Sequence, residues 1–294
     1  MLDDVLTIFA EVASRIKPII SKWRKELLFL AVTALCIGLG VSIAALEVTL
    51  SDLRMEFLLL LVFVLGPVSL IYGAVNMQLT GRAGQVRIPF ASSFRISTIS
   101  QVAEILPIPG GAIVRGAALV QNGSSKGRAA KVVLIVSVMW ISLAAAGAGI
   151  SLWHHGITAW MLAMAGLCGT AFTFVSIARM AGLKVALWSV LWRFMGLGLA
   201  ACRIFAAIAA IGQTIPARDS LVFAFASITG SASSIAPGGL GISESLAALL
   251  ATATSTSPAA AFVAVALNQV VGLSVAAVAS GFLYVRHIPV TQSS

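Results

Sequence analysis

The sequence predicts an all-α integral membrane protein of about six full transmembrane helices plus two re-entrant helical hairpins, arranged as an inverted-topology repeat. Three observations predict it. First, the 294 residues are 59% hydrophobic and only 10% charged, whereas a soluble domain carries about 25% charged residues. Second, apolar stretches near the roughly 20 residues needed to cross a bilayer recur along the chain. Third, two further apolar stretches are each broken by a Pro-Gly-Gly turn and then followed by a lone charge. Pro109, Gly110 and Gly111 precede Arg115, and Pro237, Gly238 and Gly239 precede Glu244. A bilayer tolerates broken helices and buried charges only where the backbone faces protein or a cavity. A matched pair of such breaks, one in each half, points to a transport site near the midplane.

In chain order, residues 1–26 come first. Leu2, Leu6, Phe9, Val12, Ile16, Ile20 and Trp23 keep helical spacing, with Arg15, Lys17, Lys22, Arg24 and Lys25 gathered late in the segment. The pattern predicts an amphipathic helix on the cytoplasmic membrane surface. The next stretch, 27–46, is longer than the apolar core of a secretory signal and reads as a retained first span. Further spans are expected at about 57–78, 132–153, 159–178, 196–214 and 258–284. Together they make one transmembrane domain over 27–286, with repeat halves at about 27–153 and 159–284 and a cytoplasmic tail at 287–294.

Fifteen of the 19 Lys and Arg fall before 27, within 79–131 (Arg115 aside), within 179–195 or after 284. Arg54 and Arg218 lie in the opposite loops, and Arg115 and Arg203 are candidate intramembrane charges. That asymmetry places both termini in the cytoplasm.

The broken stretches are 96–120 and 220–253. Each splits into pieces of about 10 residues, which reach about 15 Å, half of the hydrocarbon core. Proline removes a donor and glycine permits unusual dihedrals at the break. Each half then reads span, span, hairpin, span, in opposite orientation. Equivalent features are offset by similar amounts: 132 residues from Leu27 to Ala159, 128 from Pro109 to Pro237 and 126 from Val132 to Pro258.

Six residues are candidates for binding. Arg115, four residues after Gly111, suits a lipid phosphate, because guanidinium pairs bidentately with phosphate oxygens and helix starts favour anions. Its alternative role is an ion pair with Glu104 or a bond to backbone carbonyls. Glu244, three residues after Gly241, suits either a cap on the helix start or contact with a cationic head group or a proton. Glu104 sits in an otherwise apolar half-helix, and Arg203 lies within the fifth full span, where snorkelling to an interface is its alternative. Asn268 and Gln269, midway in the last span, suit interhelical hydrogen bonding or a cavity lining. Gly272, Ala276 and Ser280 form a small-residue packing face on the same span. Pro107, Pro109, Gly110, Gly111, Pro237, Gly238, Gly239 and Gly241 are the gate or turn candidates.

Other classes are excluded or weakened. The net charge of +9 sits at span ends rather than in a soluble patch, which argues against nucleic acid. Cys36, Cys168 and Cys202 all lie in apolar stretches, which suits buried thiols and not a disulfide framework. His154 and His155 mark a wet loop, and His287 is isolated, so no metal or other cofactor is expected. No nucleophile–base constellation or nucleotide loop is present, so transport would be passive or ion-coupled and the chain is not read as an enzyme.

Two segments, 100–119 and 225–250, resemble the paired motifs of the lysylphosphatidylglycerol synthase transmembrane-region family. This is the flippase-like membrane domain found at the N-terminus of multiple-peptide-resistance proteins. The first motif reads Leu106, Pro107, Ile108, Pro109, Gly110 and Gly111, then Arg115. The second runs Pro237, Gly238, Gly239, Leu240, Gly241, Ile242, Ser243 and Glu244, one residue shorter after the proline than is usual there. The resemblance spans about 27–286 and implies translocation of a lipid between leaflets of a bacterial inner membrane. The lipid would be of the aminoacyl-phosphatidylglycerol, hopanoid or glycolipid type. The chain has no soluble aminoacyl-transfer domain, so it is expected to act as a stand-alone translocator. At 137–140 in the third span it carries Ser, Val, Met and Trp, where relatives often hold a charged pair, which leaves the identity of the lipid open. The expected partners are the membrane lipid itself and either a separate lipid-modifying enzyme or further copies of the chain. The alternatives are a membrane enzyme or accessory subunit of a lipid, hopanoid or polyprenyl-glycolipid pathway, and a small-solute or ion transporter using the same inverted repeat.

Overall fold

A computed structural model describes Val41 and residues 53–104, 109–233 and 239–285. The amphipathic segment 1–26, nearly all of the span 27–46, the tail 287–294, and Pro107, Pro237 and Gly238 lie outside the described residues. Among those described there is no strand. The helices are α1 (Met55–Ala83), α2 (Phe90–Ala103), α3 (Gly110–Gln121), α4 (Lys126–Ser151), α5 (Ile157–Ala181), α6 (Leu183–Ala210), α7 (Asp219–Ser233), α8 (Ile242–Ala251) and α9 (Pro258–Val285).

Five of these, α1, α4, α5, α6 and α9, are long and apolar enough to cross a membrane. Their outward faces carry large apolar side chains such as Phe63, Phe172, Leu187, Phe194 and Phe282. A continuous exposed apolar belt of this kind is untenable in water and natural in lipid. The protein is therefore membrane-embedded.

The helix boundaries follow local chemistry. α1 widens into a π-helical turn over Leu60–Leu65, just before Gly66 and Pro67. Proline has no N–H to continue the ladder, and a π turn is one way to absorb the mismatch. Ser125 caps α4 by accepting a hydrogen bond from the Arg128 amide at 3.4 Å. A single residue, Gly182, joins α5 to α6, with φ 90° and ψ 157° that only glycine adopts freely.

That last join departs from the expected layout. Residues 179–195 were predicted as a basic cytoplasmic loop preceding a span at 196–214, yet α6 already starts at Leu183 and ends at Ala210. The loop reading rested on three cations, Arg179, Lys184 and Arg193. The residues between them are helix formers, and a helix of 28 residues reaches about 42 Å, enough to cross with its first turns outside the hydrocarbon.

Four shorter helices form two pairs, α2 with α3 and α7 with α8, each member packed on its partner. Two apolar cores show where the pairs sit. One gathers Met77 and Ala83 of α1, Ala118 and Leu119 of α3, Val132 to Met139 of α4, Ile177 of α5 and Ala186 of α6. The other gathers Leu61 of α1, Leu143 and Ala144 of α4, Leu197 to Ile208 of α6, Phe223 of α7, Ala247 of α8 and Ala260 to Val271 of α9. The pairs thus pack toward opposite ends of the long helices. Contacts also cross between the two halves of the chain: α2 packs on α9, and α7 packs on α4.

Candidate functional site

At the first break, α3 begins almost in contact with the end of α2, and two glycines allow it. A Cβ on Gly110 would overlap the Ala103 carbonyl, and one on Gly111 would lie 2.7 Å from Glu104 Oε1 and 3.0 Å from the Ser100 carbonyl. The Ser100 hydroxyl donates to the Gly111 carbonyl at 3.2 Å. Pro109 immediately precedes α3 and contributes no N–H to its first turn.

One turn into α3, Arg115 donates from Nε to the Gly111 carbonyl at 3.0 Å and from Nη2 to Glu104 Oε1 at 3.2 Å. The ion pair is only half-buried, with the Arg115 side chain 30% exposed. The geometry therefore supplies the Glu104 partnership that the sequence offered as the alternative to a ligand. Arg115 Nη1 makes no hydrogen bond among the described residues.

α6 carries Arg193, which the sequence placed in a cytoplasmic loop. It is buried, with 1% of its surface exposed. Nη1 donates to the Ser189 carbonyl at 3.0 Å, and Nη2 has no hydrogen-bond partner. Aromatic rings wall the site. Tyr72 of α1 stacks on Trp192 with centroids 5.6 Å apart and planes 11° apart, and lies 6.2 Å from Trp140 of α4. Trp192 Nε1 donates to the Tyr72 carbonyl at 3.1 Å. The hydroxyl end of the Tyr72 ring packs against Gly196, where any Cβ would collide with it.

Arg203 sits further along α6, against α9. Its Nη2 donates to the Asn268 carbonyl at 3.1 Å and rests on Gly272, where a Cβ would fall 2.7 Å from that nitrogen. Arg203 Nε, Asn268 Oδ1 and both polar atoms of the Gln269 amide are buried without hydrogen-bond partners. Gly272 thus makes room for a guanidinium, and Ala276 is fully buried in the helix contact.

Glu244 lies at the other helix pair, buried at the start of α8. Its Oε2 accepts a hydrogen bond from the Gly241 amide at 2.7 Å, and Oε1 has no partner. This is a cap on the helix start. Ser243 donates to the Ser227 carbonyl at 3.3 Å, across to α7. Gly239 (φ 72°) and Gly241 (φ 82°) adopt left-handed backbone. A Cβ on Gly239 would meet the Gly230 and Ser231 backbone at 2.5–2.6 Å, so this break too depends on glycine.

The structure brings together Glu104 and Arg115, and brings Arg203 to Asn268. Glu244 is packed with the second core, at the opposite end from Arg115. Arg193, Tyr72, Trp140 and Trp192 were not singled out as site residues by sequence reasoning. A signal for Arg193 existed: Ala186, Ser189, Arg193 and Gly196 share one buried face of α6, while Leu187, Trp188, Leu191 and Phe194 cover the opposite, exposed face. Cys168 and Cys202 are exposed free thiols, His154 and His155 lie exposed in a short loop helix, and no group able to hold a metal ion occurs among the described residues. No family model, curated protein or solved structure matches this chain.

Proposed function

We propose that this chain is a lipid translocator of the lysylphosphatidylglycerol synthase transmembrane-region type. In this reading it resides in a bacterial inner membrane with both termini in the cytoplasm. The two helix pairs act as re-entrant hairpins of an inverted-topology repeat. One observation carries the proposal: two short, glycine-dependent helix pairs lie at opposite ends of the long helices, each with an ionisable side chain at its break. Half-length helices meeting inside a bundle place polar backbone where an amphiphile's head group must pass. Arg115 holds the head-group phosphate, and the breaks at Gly110–Gly111 and Gly239–Gly241 give each end its moving part. Two features support the repeat. Helix order recurs after α4, with α1, α2, α3 and α4 answered by α6, α7, α8 and α9. Each pair's first helix also packs against the last helix of the other half.

The test is reconstitution into liposomes containing fluorescent phosphatidylglycerol, followed by an impermeant quencher. Loss of signal beyond the outer leaflet, abolished in Arg115→Ala of equal expression and helicity, supports the reading. Equal movement by Arg115→Ala removes the role given to that residue. A folded protein that leaves the inner leaflet protected overturns translocation of this lipid and favours a membrane partner of a lipid-modifying enzyme.

A further inference from the structure

Glu244 is the only acidic side chain among the described residues with no exposed surface at all. Its Oε2 accepts from the Gly241 amide at 2.7 Å, and its Oε1 is buried without a hydrogen-bond partner. No counter-charge is at hand. The helices packed on α8 are α7 and α9. α7 carries one titratable residue, Asp219, at its first position, where it faces Arg218 at 3.6 Å. α9 carries none before Tyr284, in its last turn, and α8 itself carries only Glu244. An ionised carboxylate with a single hydrogen bond and no cation is costly inside an apolar bundle, where the neutral acid is tolerated.

Solvent does not reach Oε1 while α8 rests on α7. The first turn of α8 presses on that helix: a Cβ on Gly230 would lie 2.5 Å from Ser243 Cα and 2.6 Å from its amide nitrogen. The Ser243 hydroxyl holds the same contact through the Ser227 carbonyl at 3.3 Å. Oε1 meets water only if this contact opens. The residues ahead of α8 suit such a movement, because Gly239 and Gly241 hold left-handed backbone and change dihedrals at little steric cost.

We propose that Glu244 binds a proton at Oε1 in the closed state of the second helix pair, and that release of this proton lets the first turn of α8 lift from α7. This rests on the translocation reading and adds to it a coupling ion. The proton bonds to Oε1 while Oε2 remains the acceptor for Gly241, so the cap survives. On release the proton passes to water, and the carboxylate takes the hydration that contact with α7 had excluded. The closed state is favoured when Glu244 is neutral and the open state when it is charged. A metal cation fits less well, since it needs several oxygens, and no group able to hold one occurs among the described residues.

Difference infrared spectroscopy of the full chain in neutral detergent, with pH raised from about 5 to about 9, reads the carboxyl directly. A protonated-carboxyl band that fades with rising pH is expected, absent from Glu244→Gln and shifted in Glu244→Asp; the amide band of the same spectra checks helicity. In the phosphatidylglycerol liposome assay, lipid movement should be slow at low pH and rise by up to about tenfold per pH unit toward a plateau. Glu244→Gln mimics the neutral acid, so its movement should stay slow at every pH, while Glu244→Asp should keep a pH response. Absence of a titrating band that depends on Glu244 overturns the proposal. A dependence on Na+ at fixed pH, lost in Glu244→Gln, overturns the proton in favour of a metal cation. The two assays separate the claims. A titrating Glu244 in a protein that moves no lipid at any pH leaves the proton site and removes translocation; movement with the wild-type pH response in Glu244→Gln removes the proton site and leaves translocation.

Discussion

Gly196→Ala tests how tightly the aromatic wall is built. The new Cβ would lie 2.5 Å from Tyr72 Cε2, and closer to Cζ and the hydroxyl oxygen, where ordinary contact begins at 3.4 Å. The ring must therefore retreat by roughly 1 Å, or the helices must part. The ring is held in place by Trp192, which stacks on it at 5.6 Å and donates to the Tyr72 carbonyl. Overpacking of this kind costs about 1–3 kcal/mol. Alanine recovers about 0.8 kcal/mol of helix propensity, so a net loss of about 1–2 kcal/mol is expected. In a Tyr72→Ala background the collision disappears and only the propensity gain remains. There the same substitution should stabilise by about 0.8 kcal/mol, a reversal of sign. Unfolding in mixed micelles with increasing dodecyl sulfate, followed by tryptophan emission, measures both legs of the cycle. A cost that is equal in the two backgrounds would refute the account of Gly196 as the seat of the Tyr72 ring.

Three further outcomes are expected. Gly272→Ala should push the Arg203 guanidinium off the Asn268 carbonyl and lower stability by about 1–2 kcal/mol, whereas it should cost little beside Arg203→Met; the same micelle titration reads the difference. Glu244→Ala leaves the Gly241 amide without its acceptor and should cost about 1 kcal/mol, seen as a lower thermal midpoint, with Glu244→Gln retaining most of the cap through its amide oxygen. Cys168 and Cys202, exposed on faces that meet lipid, should react with a lipid-soluble maleimide but resist a charged thiosulfonate in a Cys36→Ser background, as read by mass spectrometry; rapid labelling by the charged reagent would place them in water.

Composition and span length made the helical, membrane-embedded class legible, because nothing else accommodates so much continuous apolar sequence. Helix breaks were legible for a similar reason: proline next to paired glycines interrupts the helix at both sites, and α2, α3, α7 and α8 end close to the expected limits. The start of α6 was not legible in the same way. Counting cations between spans treats every arginine as a loop marker, while Arg193 is a marker only if its helix face points to water. Periodicity holds that information, since the bulky neighbours of Arg193 lie opposite it. The orphaned atoms of Arg193, Arg203 and Gln269 belong to a different category. Whether a buried donor finds a partner depends on which helix lies alongside, and no local pattern reports that.

The two apolar cores have a consequence for how the molecule breathes. They share α1, α4 and α6 but touch different stretches of each, and in the intervening part of α6 the Tyr72 ring packs on Gly196 and Trp192. Aliphatic packing is thus divided between two lobes that meet at an aromatic contact. Each lobe can act as its own cooperative unit, so amide exchange should fall into two protection classes divided near the middle of α4 and α6. A substitution that loosens Phe223 or Ala247 should accelerate exchange in one lobe while the amides around Leu119 and Val132 stay slow.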